Sequence, residues 1–227
     1  MNQDNNMYSS TAKVGLYPTF FGKVMSFFGL AVLSSAAGVY ITTHYFIQYF
    51  AQTPALMYVF FAVELILIFT SRIWSLSSPL NRILFVLFTF ITGVTIAPLI
   101  AILAQSAEGA AMLSKALIAT ACMFGATALF GYTTSYNLSG LRGFLLMSLI
   151  GMIIVGIIGI FIPWGNGMEM VYSGFGVIIF SGFTMYDFQK LKNYPQDRYI
   201  EAALSLYLDI FNLFLYILRL IMSFNRR

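Results

Sequence analysis

Asp187 and Asp209 sit in the last two apolar stretches of this 227-residue chain: Asp187 follows the run Gly176–Tyr186, and Asp209 lies inside Ala202–Leu218. A carboxylate within a membrane span costs about 2.5–3.5 kcal/mol on insertion scales, so it is kept where it faces a bundle interior or a water-filled path, with a partner. Two of them on consecutive segments are candidates to be each other's partner. Buried like charges cannot both ionise cheaply, so such a pair shares a proton and titrates as a unit. Protonated and joined, it latches two helices. Deprotonated, it repels, opens a path and offers oxygens to a cation. Ca2+ takes six to eight oxygen ligands, so two carboxylates, even helped by Asn212, Ser205 and backbone carbonyls, make a transit site for Ca2+ rather than a tight cage. The structural alternative is that each aspartate only caps or hydrogen-bonds a neighbouring helix.

Other ionisable residues fall in or beside apolar runs. Glu64 lies near the middle of Pro54–Arg72 and is a secondary candidate for the same chemistry. Arg72 is eight residues on, near the same helical face, and either partners Glu64 or snorkels to the headgroups. Arg219 is ten residues past Asp209, about 15 Å along a helix, and is no direct partner of it. His44, the single histidine, reads as interfacial. The chain has no His/Cys/acid cluster with zinc spacing, no glycine-rich phosphate loop and no nucleophile with an evident base. Intramembrane aspartyl proteases also use two aspartates, but their Gly-x-Gly-Asp pattern is missing, since Asp209 follows Tyr207–Leu208. The expectation is therefore a protein that is not an enzyme and carries no cofactor, with Ca2+ as a permeant species.

The elements that must position these residues follow from composition. The chain is 59% hydrophobic and only 9% charged, with mean hydropathy +0.84. Soluble domains carry about 25% charged residues, so lipid is the solvent here. Seven apolar segments emerge: Phe20–Thr42, Pro54–Arg72, Leu80–Leu103, Ala110–Thr133, Leu141–Ile162, Met168–Phe188 and Glu201–Phe224. The first is read as an uncleaved span, although Ser35–Ala36–Ala37 resembles a cleavage site, because its polar lead-in is long and its apolar run outlasts a signal peptide's. Residues 1–19 read as a disordered tail and 20–227 as one transmembrane domain. The single Cys122 makes no intramolecular disulfide. The net charge of +4 is spread over the loops, with no basic cluster for nucleic acid.

Lys13, Lys23, Arg72, Arg82, Arg142, Lys190, Lys192 and Arg198 all fall on one side of an alternating topology, against Lys115 on the other. That asymmetry places the N-terminus in the cytoplasm. Arg226 and Arg227 conflict with it if the last segment crosses fully, so that segment either spans or re-enters. Thr89, Gly93, Ala97 and Ala101 recur every four residues, and Gly151 and Gly159 stand eight apart; both patterns suit close helix packing in lipid. Pro98 is expected to kink the third segment. In the last segment Glu201, Ser205, Asp209, Asn212, Tyr216 and Arg219 step by three or four, so all six share one helical face. In lipid that face must turn inward. At 1.5 Å per residue, Asp187 lies roughly 7 Å and Asp209 roughly 13 Å from the cytoplasmic end of its segment.

Ser181–Leu191 (SGFTMYDFQKL) and Ala203–Phe214 (ALSLYLDIFNLF) resemble the signature of the Bax inhibitor-1 family, the transmembrane Bax-inhibitor-motif proteins. Gly93–Pro98 resembles the family's third span. Phe124–Ala126, Gly131–Thr134 and Leu138–Gly140 resemble its bacterial branch. The likeness covers essentially the whole chain. It implies an all-α polytopic membrane protein of seven transmembrane helices with the last helix central, and a pH-sensitive calcium leak gated by an aspartate pair, here Asp187 and Asp209. It matches Glu64 to an acid of the second span. Where the family carries an arginine at that span's cytoplasmic end, this chain has Ser75, and Arg72 comes about a turn early. Bacterial relatives are also similar to modulators of a membrane-bound AAA protease, and eukaryotic ones to suppressors of cell death under stress, so a protease partner without transport is the alternative. A proton-coupled transporter would use the same pair. The motifs imply a bacterial inner membrane.

Overall fold

The computed structural model describes residues 19–225, so the tail reading falls almost wholly outside the described residues, as do Arg226 and Arg227. Helix α1 (Phe20–Ile41) starts where the Thr19 hydroxyl accepts the Gly22 N–H. It runs through a π-helical turn at Thr42–Phe46 into α2 (Ile47–Gln52). This is about ten residues longer than the sequence suggests. The polar groups at Thr43 and His44 do not end the helix, because the Thr43 hydroxyl donates to the Val39 carbonyl at 2.9 Å and the His44 ring sits 2.9 Å from the Tyr40 carbonyl. After α3 (Ala55–Phe69) and the single turn α4 (Ser71–Trp74) come α5 (Leu80–Ala104), α6 (Ala107–Thr133), α7 (Leu141–Phe161), α8 (Asn166–Lys190) and α9 (Tyr199–Asn225). No strand occurs among the described residues.

Six helical stretches are long and apolar enough to cross a membrane, against the seven expected. The exception is the second segment. Helix α3 has 15 residues, about 22 Å, short of a hydrocarbon core of about 30 Å. It stops at Thr70, whose hydroxyl folds back onto the Ile66 carbonyl at 2.6 Å, and Trp74 in α4 donates its indole N–H to the Leu67 carbonyl at 2.9 Å. Helix α5 continues unbroken through Pro98.

The last helix is central in a restricted sense. Helix α9 packs chiefly on α8, α6 and α1 and touches α5 lightly, whereas α7 docks mainly on α8 and α3 on α5. Ile200, Leu206, Tyr207, Leu213 and Leu218 of α9 are buried. By contrast, Phe69 on α3 and Ile160 and Phe161 on α7 are more than three-quarters exposed. A soluble protein does not leave so continuous an apolar face bare.

Backbones meet closely where side chains are smallest. Gly93 of α5 lies against the Ser35 carbonyl of α1, and Gly38 of α1 lies against the Phe90 carbonyl of α5. Ser34 adds a hydrogen bond across the same pair, to the Val86 carbonyl at 3.1 Å. Thr89 and Ala97, on the stripe with Gly93, are fully buried. The Gly151–Gly159 pattern marks no such seam: Gly151 faces open space and Gly159 underlies the Trp164 ring. A methyl group at position 93 would strike backbone, which cannot swing aside as a side chain can. Gly93→Ala is expected to destabilise the protein by about 1–3 kcal/mol, seen as a lower thermal midpoint in detergent, while Gly29→Ala on α1, which meets nothing within 4 Å, leaves it unchanged or higher.

Candidate functional site in the α8–α9 seam

The polar stripe of α9 turns toward α8. Ser205 stands beside the Asp187 carboxylate. Tyr216 packs against Gly176, where a Cβ would collide with its ring, and stacks on Phe180 with centroids 5.6 Å apart. Arg219 reaches Glu169 at 3.2 Å. Glu201, at the other end, pairs with Arg198 at 3.5 Å. The Tyr194 phenol in the α8–α9 connection is pushed above its ordinary range by burial and by the Glu201 carboxylate, so it stays protonated. Tyr194 also stacks on Phe20, with the Lys190 ammonium 4.6 Å above its ring. The connection is therefore pinned to the start of α1.

Within this seam the two aspartates differ. Asp209 is 5% exposed, and its Oδ2 has no hydrogen-bond partner among the described residues. The charge it feels is that of Asp187. Asp187 is half-buried near the end of α8, within Coulomb range of Lys190 and Arg142. The structure thus brings the two carboxylates into one electrostatic neighbourhood, with cations on the Asp187 side only. An unsatisfied buried carboxylate oxygen is uncommon in a finished fold and calls for a functional or hydration account.

The secondary candidates lie apart from the pair. Asn212 donates its side-chain N–H to the Leu208 carbonyl at 2.8 Å and has no hydrogen bond to either aspartate. Glu64, half-buried on α3, accepts a 2.6 Å hydrogen bond from the Thr95 hydroxyl of α5. Arg72 is exposed on α4 and takes part in neither of the ion pairs among the described residues. Ser75, where the family resemblance expects an arginine, is fully buried, with its hydroxyl unpartnered among the described residues. A basic side chain directed at the aspartates from this span is therefore not found. The described residues hold no cluster of three His, Cys, Asp or Glu that could grip a metal ion. A cavity of about 530 Å³ between α1, α5, α6 and α9, lined by residues such as Val39, Ile96, Leu117, Tyr207 and Phe211, contains none of the acids.

Sequence reasoning missed the far end of the seam. Trp164 donates its indole N–H to Glu169 Oε2 at 2.8 Å, while Arg219 holds Oε1. The Tyr172 hydroxyl donates to the Met152 carbonyl at 3.0 Å. The signal was half visible, since Arg219 closes the polar stripe. Its partner Glu169 lies in a different segment, and no spacing links the two. On the α3 side, the Thr95–Glu64 bond makes a checkable claim. Thr95→Val leaves a half-buried carboxylate oxygen without its donor and is expected to cost about 0.5–1.5 kcal/mol, read as a lower thermal midpoint, with Thr95→Ser recovering most of the loss.

A family model described as "Inhibitor of apoptosis-promoting Bax1" matches residues 18–226. An uncharacterized protein of Campylobacter jejuni, Cj0236c, is 27% identical over 208 residues, covering 92% of this chain and 90% of its own. The inner membrane protein YbhL of Escherichia coli K12 is 32% identical over 169 residues, 70% of each chain. An uncharacterized protein of Helicobacter pylori J99 is 30% identical over 172 residues, 75% of this chain and 73% of its own.

Proposed function

The chain belongs to the Bax inhibitor-1 family, and from that premise and the carboxylate geometry we propose that it is a pH-gated cation leak of a bacterial inner membrane, with Ca2+ as the favoured ion. The observation that carries this reading is the unpartnered Oδ2 of Asp209, on a side chain only 5% exposed and within Coulomb range of a second carboxylate, Asp187. A structural aspartate would have its oxygens satisfied. This one is left poised to share a proton with Asp187 or to meet a passing cation.

In the closed state one proton joins the two carboxylates and α8 and α9 stay sealed. Loss of that proton sets two negative charges against each other in a low-dielectric seam. The repulsion is relieved by separation, water or a cation. Lys190 and Arg142 bear on Asp187, so charge is tolerated first on the Asp187 side and the path opens from there toward Asp209. Glu64, held by Thr95, serves as a further acidic station. The charge count of the loops supports an N-terminus in the cytoplasm, which puts Asp187 near the cytoplasmic mouth. Residues 55–74, with α3 and α4 taken together, complete a seventh crossing in this scheme.

The test is Ca2+ flux into liposomes holding the purified protein, from pH 5 to 8. Flux is expected to rise with pH, because each proton lost adds like charge to the seam. Asp187→Asn and Asp209→Asn, which cannot gain that charge, are expected to abolish or strongly flatten the pH response. Absence of flux at every pH, or flux indifferent to both substitutions, overturns the leak and favours the alternative of a membrane protein that modulates an AAA protease by association.

A further inference from the structure

Beyond the aspartate pair, the end of the seam opposite Asp187 carries a second constellation. Both oxygens of Glu169 are engaged: Oε1 by the Arg219 Nε of α9 at 3.2 Å, and Oε2 by the indole N–H of Trp164, in the α7–α8 connection, at 2.8 Å. The Arg219 guanidinium also lies 6.0 Å from the Tyr172 ring centroid. The Tyr172 hydroxyl bridges to the Met152 carbonyl of α7 and lies 3.4 Å from the Tyr216 hydroxyl of α9. Asn166, at the start of α8, donates to the Ser223 carbonyl in the last turn of α9 at 2.9 Å. These bonds tie α7, its connection to α8, α8 itself and α9 at one end of the seam, and Glu169 joins the connection to α9.

We infer that Glu169 and Arg219 are positioning residues that clamp the far end of α9 and thereby hold Asp209 in its buried place. An α-helix transmits displacement because its hydrogen bonds leave little axial give. Asp209 and Arg219 are ten residues apart on one uninterrupted helix, about 15 Å. Turning or sliding α9 to expose Asp209 therefore pulls Arg219 off Glu169. Glu169 stands in the first turn of α8, where the helix dipole adds to the attraction between its carboxylate and Arg219. The inference concerns how α9 is held and does not depend on which ion, if any, crosses.

The experiment uses the full chain with Cys122→Ser and spin labels on Val171→Cys and Phe224→Cys, two exposed positions flanking the clamp. The distance between them is measured in liposomes, alongside Ca2+ flux at fixed pH. Arg219→Glu and Glu169→Arg each place like charges face to face. Either one alone is expected to lengthen or broaden the distance distribution and raise basal flux severalfold. The double exchange is expected to restore a narrow distribution and the original flux, a rescue that mere loss of stability would not give. Trp164→Phe, which keeps a ring and removes the indole donor, is expected to give a smaller shift in the same direction. Unchanged distances in both single variants, or failure of the double exchange to restore them, overturns the clamp. If the unaltered protein passes no Ca2+ at any pH, the leak reading fails, and the distance arm still decides the clamp.

Discussion

Desolvating one carboxylate governs the architecture of this bundle. Taking an ionised carboxylate out of water costs several kcal/mol even after a protein relaxes around it. Asp209 is buried on α9, the helix that packs on α8, α6, α1 and, more lightly, α5. No hydrogen-bond donor among the described residues reaches its Oδ2. Such a group is tolerated only if the proton stays, if water reaches it, or if a cation passes. Each of these ties the local structure to conditions outside the protein. Lys190 and Arg142 lie within Coulomb range of Asp187, and Asp187 in turn lies within Coulomb range of Asp209.

A helix that carries such a group through lipid needs polar company on one face and apolar grip on the rest. Helix α9 gets the first from α8. Ser205 lies against Asp187, Tyr216 lies across Gly176, and Arg219 reaches Glu169. Hydrophobic burial gives no net drive between helices already in hydrocarbon, so close van der Waals contact must supply the grip. That explains why glycines sit at backbone crossings: Gly93 under Ser35, Gly38 under Phe90, and Gly131 under Met185. The same reasoning separates the outer helices. Helix α7 turns long aliphatic side chains to the surroundings, and its two buried residues are Leu145 and Met152.

Much of this was legible in the sequence, for a physical reason. Lipid permits few backbone solutions, so hydropathy located nearly every helix. The three–four spacing of α9 found the stripe that holds buried Asp209, but not all of that stripe turns inward, since Arg219 is exposed. The errors fell where side chains change what the backbone does. Thr43 and His44 satisfy their polar groups on the preceding turn, so α1 outran its apparent end. Helix α3 instead closed early at Thr70, where the Trp74 indole of the next turn donates to the Leu67 carbonyl. Gly151 and Gly159 had the spacing of a packing seam without facing a partner helix. Spacing gives an angle around the axis but not what lies across from it. For the same reason Asp187 and Asp209 could be compared in depth but not shown to touch, and Glu169 and Arg219, fifty residues apart and in separate segments, could not be matched before the helices were laid side by side.

On the proposed leak, the donor set argues for transit over storage. A tight Ca2+ site gathers six to eight oxygens in a rigid shell. Here two carboxylates on different helices share one seam, the amide of Asn212 is committed to its own helix, and Glu64 is held on another face by Thr95. An ion entering the seam would keep much of its water and find no cage. That is the condition for passage, since a site that bound more tightly would have to release more slowly. In the proposed leak the acids would act as separate stations, each with enough charge to replace part of a hydration shell and none with enough to hold the ion.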